Sequence, residues 1–133
     1  MNLLLDTNVI SEVMRREPDP VVVAWFGHLD RVITSVVCVE ELIYGLRRRQ
    51  AYSREAWLLG MLDEVGVVHP VSPVTTRWAA EQRARLAGQG QTITQADALI
   101  AATAWEHHLV LATRNLRDFD SFGIPLLNPF TKT

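Results

Sequence analysis

Leu3, Leu4 and Leu5 run directly into Asp6 with no polar residue between them. A strand with one solvated face alternates apolar and polar residues. An unbroken apolar run is buried on both faces and belongs inside a parallel sheet. Parallel strands need crossover helices, and the rest of the chain supplies them. The pattern predicts a helix over about 9–15 capped by Thr7 or Asn8, and a second helix opened by Asp19-Pro20. A strand is expected over 31–34, followed by a long helix that Thr34-Ser35 opens and Arg47, Arg48 and Arg49 close. Helices over about 54–64 and 74–86 flank a strand at 67–69. A helix over 94–107, a strand over 109–112 and a last strand at 126–127 complete the series. The alternation indicates an α/β fold with a central, mainly parallel sheet flanked by helices. All 133 residues are expected to form a single domain, with EPDP, GQGQ and NPF as punctuation.

The bulk numbers exclude several classes. No apolar run approaches the roughly 18 residues of a membrane span, and the opening MNLLLDTN lacks the basic start of a signal peptide. One cysteine, Cys38, excludes an internal disulfide framework and a cysteine-based zinc cluster, so a reducing, cytoplasmic setting is expected. Thirteen basic and fifteen acidic residues give a net charge of -2, so any attraction for nucleic acid must be local or metal-borne.

The acids are the chemistry-bearing residues, and each has a plain structural use. Asp6 can cap the helix it precedes. Thr94 and Asp97 have the spacing of a capping box. Asp97 is also in line with Ile100, Ala101, Ala104 and His108, a small-residue face that packs closely on a neighbour. An acid on such a face is paired or binds metal. Glu40 and Glu41 sit beside an apolar stripe of Val36, Val39, Leu42, Ile43 and Leu46, with Glu41 almost opposite it. Periodicity does not choose between these glutamates. Asn115, Asp118 and Asp120 have the composition of a turn. Ligands in parallel sheets gather beyond the carboxyl ends of the strands, where Asp6, Thr113 and Asn115 fall. Carboxylates converging there protonate or share a cation, and an all-oxygen set suits Mg²⁺ or Mn²⁺.

In series, LLLDTNVISE, TSVVCVEELIYGL, QADALIAATA and LATRNLRDF with LLNPF resemble the PIN-domain family, and within it the VapC/FitB-type toxin ribonucleases of toxin–antitoxin pairs. The likeness spans nearly the whole chain. It implies a Mg²⁺- or Mn²⁺-dependent endoribonuclease that inhibits translation by cutting tRNA or ribosomal RNA and leaves a 5′-phosphate and a 3′-hydroxyl. It also implies a homodimer silenced by a cognate antitoxin in a heterotetramer or larger assembly. By position, Asp6, Glu41 and Asp97 match the metal-binding and catalytic acids, and the glutamate-leucine motif is what selects Glu41. Where many relatives carry a fourth aspartate this chain has Asn115, and Asp118 can supply the carboxylate instead. Thr7, Asn8 and Thr113 match groups that orient the acids. Arg114, Arg117 and Arg48 are candidate RNA contacts, although Arg48 also answers the helix dipole.

Two other readings compete. A non-catalytic PIN-like binding module is favoured by Asn115 and opposed by Asp6, Glu41 and Asp97. A haloacid-dehalogenase-type phosphatase also begins with an apolar strand ending in aspartate, but it needs a second acid where this chain has Asn8. The tryptophans Trp25, Trp57, Trp78 and Trp105 are expected in the core or at an interface. His107 and His108 are expected to be structural.

Overall fold

The computed structural model describes residues 2–130. Five strands, β1 (Leu3–Leu5), β2 (Val32–Ser35), β3 (Gly66–His69), β4 (Val110–Ala112) and β5 (Leu126–Leu127), form one sheet in the order β3-β2-β1-β4-β5. Every neighbouring pair is parallel. Between them run α1 (Thr7–Val13), α2 (Pro20–Gly27), α3 (Val36–Arg48), α4 (Tyr52–Val65), α5 (Pro73–Ala87), α6 (Gln95–Glu106) and α7 (Leu116–Phe119), then a single 3₁₀ turn (Asp120–Phe122).

The leucine run has the predicted cause. Leu4 enters a core layer with Ala98, Ile100, Ala101 and Leu111, while Leu3 and Leu5 enter the opposite layer with Val9, Ile10, Leu42 and Leu58. Successive strand residues point to opposite faces, so a strand covered on both sides is apolar throughout. In α6, Ala98, Ala101, Ala102 and Ala104 are all fully buried, and these small side chains let the helix lie close to its neighbours, α5 above all.

Polar contacts join the layers at their edges. Ser35 caps α3 by accepting the Cys38 N–H. Arg47 forks onto Glu55 at 2.6 and 3.0 Å, fastening the end of α3 to the start of α4. The buried Glu12 accepts the Asp19 N–H at 2.8 Å and meets Arg15 at 3.2 Å, which fixes α2 against α1. At the far end of α6, Glu106 accepts hydroxyls from Ser72 and Thr75. There the His107 ring stacks on His69 at 3.7 Å, and Trp105 stacks on Trp78 at 4.9 Å.

Four local expectations change. Of the caps the sequence offers for α1, the structure uses Asp6 and not Thr7 or Asn8, so the helix starts at Thr7 instead of near Val9. The stripe assigned to α3 holds at Leu42 and Leu46, which are buried, but it loses Val36, 39% exposed, and gains the buried Cys38. The reason is that α3 serves both layers, with Cys38 in one and Leu42 and Leu46 in the other. His108 does not continue the α6 face; it lies past the helix end, exposed, at φ 54°. Asp118 sits on the short helix α7 instead of an open turn.

Gly66 joins α4 to β3 where a Cβ would lie 2.5 Å from the Leu62 carbonyl oxygen and 2.7 Å from its Cα. Both are backbone atoms that cannot step aside. Gly66→Ala is expected to cost about 1–3 kcal/mol, in the range of other steric insertions, read as a lower thermal midpoint in calorimetry. An unchanged midpoint would mean that this junction is loose.

Candidate active site

β1 lies at the middle of the sheet, so its carboxyl end opens between neighbours on both sides. The Asp6 N–H still bonds to Ala112 O at 2.9 Å, which keeps the chain paired to β4 until the carboxylate emerges. Asp6 Oδ1 accepts the Thr7 N–H at 2.8 Å. Oδ2 accepts the Thr113 hydroxyl at 2.9 Å and the Asn8 amide at 3.2 Å. The Cys38 thiol lies 3.9 Å from Oδ1, and both burial and the Asp6 charge hold its pKa up. Asp6 therefore caps a helix and also presents a carboxylate, so its two readings are compatible.

That carboxylate is only 5% exposed. Burial pushes its pKa up to about 6; the nearby charges of Asp97 and Glu41 push the same way, against the hydrogen bonds from Thr113 and Thr7. Asp97, half-buried in the first turn of α6, is also raised, first by burial and then by Asp118 and Glu41, while its bond with Thr94 opposes. Glu41 reaches the same place from α3 and accepts the Thr7 hydroxyl on Oε1 at 2.6 Å. Three acids about 35 and 56 residues apart in sequence thus share one field, as the sheet-edge argument requires.

The supporting groups form a closed set. The buried Thr113 hydroxyl donates to Asp6 and accepts from the Asn8 amide and the Asn115 N–H, which uses its full capacity. Asn8 Oδ1 accepts the Arg114 N–H at 3.0 Å, pinning the loop after β4. Asn115 heads α7 with no side-chain cap bond, and Asp118 is exposed beside Asp97 and Arg117 in one cleft. Arg114 lies 4.6 Å from the centre of the Phe130 ring. Arg48 stands two turns beyond Glu41 on α3, where it meets the Tyr44 hydroxyl. Two features around the acids were not read from sequence. Cys38 gave no signal beyond its apolar character, and the reach of Asn8 to Arg114 depends on packing across 106 residues.

Among the described residues no three acids, histidines or cysteines stand close enough to grip one metal ion as they are. They are near enough to perturb one another, yet a direct three-carboxylate grip, the tightest form of the expectation, is not what the side chains make. Mg²⁺ and Mn²⁺ accept oxygen donors, and Mg²⁺ in particular keeps much of its water and binds proteins through one or two carboxylates. The donor set fits such a hydrated ion.

A family model described as PIN domain matches residues 3–124. The chain is 35% identical to VapC ribonuclease Y4jK of Sinorhizobium fredii, covering 96% of this chain and 97% of that protein. It is 33% identical to Toxin FitB of Neisseria gonorrhoeae, covering 96% and 98%. DNA-bound VapBC from Salmonella typhimurium superimposes with a TM-score of 0.83 at 26% identity, covering 97% of this chain and 98% of that one.

The raised Asp6 pKa fixes the sign of a pH effect. Between about pH 4 and 6 the folded protein holds a proton that the unfolded chain has released, so stability is lost as pH rises through this window. Two pH units correspond to about 3 kcal/mol. Urea unfolding in EDTA is expected to show that decline, and Asp6→Asn is expected to remove most of it. A pH dependence in the metal-free wild type identical to that of Asp6→Asn would contradict the buried carboxylate.

Proposed function

The chain belongs to the PIN-domain family, and on that premise we propose that it is the ribonuclease toxin of a toxin–antitoxin pair. On this reading residues 1–133 act as one domain in the cytoplasm, hydrolyse tRNA or ribosomal RNA and so inhibit translation, and are silenced by a cognate antitoxin. The observation that carries it is the buried Asp6 carboxylate, held near pKa 6 in the field of Asp97 and Glu41 at the carboxyl end of the central strand. Such a centre is tolerable when a divalent cation offsets its charge.

Asp6 and Asp97 would hold Mg²⁺ or Mn²⁺, in part through water, with Asp118 as the further carboxylate facing Asp97. When bound, the ion supplies Lewis acidity, a more acidic water and charge for the leaving oxygen. Glu41 is fixed through Oε1 by Thr7, and its Oε2 accepts no hydrogen bond among the described residues. Oε2 takes the proton of the attacking water, which enters in line with the leaving 3′ oxygen. Thr113 and Asn8 keep Asp6 from rotating. Arg114 and Arg117 receive flanking phosphates.

A homodimer is supported by the groove between α5 and α6. Val74 is 53% and Trp105 41% exposed there, and Arg77 and Glu81 line it one turn apart with no ion pair among the described residues. A two-fold axis sets one patch against its own copy, so a patch carrying both signs around an apolar centre is self-complementary.

Purified protein is expected to cleave RNA with Mn²⁺ and to stop in EDTA. Asp6→Ala and Glu41→Gln are expected to lose about 10²–10⁴-fold in rate. RNA binding without turnover under all conditions would instead favour a binding module. Trp105→Asp is expected to sediment as a monomer that still unfolds in one cooperative transition; a persistent dimer would place the interface elsewhere.

A further inference from the structure

We infer that the cleft between the α5–α6 loop and α7 seats one ribonucleotide flanking the scissile phosphate, and that Gln91 selects its base; this rests on the ribonuclease reading above. The cleft measures about 420 Å³ and is walled by Gln91, Thr92, Ile93, Asp97, Arg117 and Asp118. It lies within the size range of small-ligand sites, and Asp97 belongs both to it and to the acidic centre. A chain cut at that centre must continue into a neighbouring depression, and this one is lined by the same acid.

The wall is built before any ligand arrives. Past α5, the N–H groups of Gln89 and Gln91 both return to Leu86 O, at 3.0 and 2.9 Å. Gly90 makes that reversal at φ 81°, a conformation natural to glycine. From the 3₁₀ turn, the Ser121 hydroxyl donates to Gln91 Oε1 at 2.8 Å. Ser121 is itself held through its carbonyl by Arg85 at 3.0 Å. The Gln91 side chain is therefore anchored through its acceptor, and its NH₂ has no partner among the described residues.

What remains on offer is asymmetric. Beside the carboxylates of Asp97 and Asp118, already assigned to the ion, the cleft lining carries donors in Gln91, Thr92 and Arg117 and an apolar side chain in Ile93. A nucleotide answers each of these. Its phosphate takes Arg117, its base plane lies against Ile93, and a base carbonyl or ring nitrogen accepts from Gln91. Reading a base edge in this way requires an unstacked base, so the substrate segment is a single-stranded loop or end.

The test is cleavage of an RNA pool with randomised sequence in Mn²⁺, with cut sites mapped by sequencing and kinetics followed on the preferred RNA. Gln91→Glu keeps an acceptor for Ser121 and removes the donor; Gln91→Ala removes both without adding charge. Both are expected to erase the preference at one position beside the cut and to lower kcat/KM about 3- to 10-fold, chiefly through KM. Arg117→Ala is expected to weaken all sequences alike and to reduce the salt slope by about one. Retained preference and KM in both Gln91 variants overturns the base-selecting pocket while the nuclease stands. A wild type that cuts no RNA overturns both.

Discussion

The structure is organised around the cost of keeping the Asp6 charge out of water. An isolated carboxylate in that position would take up a proton, and a pKa near 6 shows how far burial has moved it that way. Thr7, Asn8 and Thr113 offset part of the cost with hydrogen bonds, while Asp97 and Glu41 add to it. No pairing base stands beside it in the ion pairs of the described residues, which are Arg15 with Glu12 and Arg47 with Glu55. The other two buried acids, Glu12 and Glu55, each have an arginine, and Glu12 has a backbone N–H as well. That contrast separates an acid used for architecture from one kept for chemistry.

The fold was legible because its signals are short-range. Leu3–Leu5 announces a strand covered on both faces, and Ser35 and Thr94 cap the helices that follow. The sheet order needs no signal beyond parallel strands joined by helices. Boundaries slipped where one side chain had two uses: Asp6 closes a strand and opens a helix, so the sequence offered the cap both to Asp6 and to its neighbours. The face of α3 was misjudged at Val36 and Cys38 because a helix touching two layers has no single stripe.

The site was legible only in part. Asp6 and Asp97 stand out because strand ends and alanine faces are places where an acid needs a reason. Glu41 does not; Glu40 beside it has the same chemistry, and only the resemblance to a family motif chose it. The structure gives the physical distinction, since Glu41 meets Thr7 whereas Glu40 is exposed. Asn115 and Asp118 remained ambiguous in sequence because a short helix places its third residue, and not the cap before it, beside Asp97. Gln91 could not be read at all: its environment comes from Ser121, 30 residues away.

The alanine face of α6 has a bearing on how substitutions in this chain would be inherited. Ala98, Ala101 and Ala102 are buried without exposure, so the size of their methyl groups sets how closely α6 packs on its neighbours, α5 above all. Asp97 rides on that helix. A slightly larger side chain there would lift the acid together with its scaffold, and the fold could survive a shift that the chemistry could not. Selection for activity would then fall on residues that never meet the substrate, and loss-of-toxicity alleles would accumulate in what looks like ordinary interior filling.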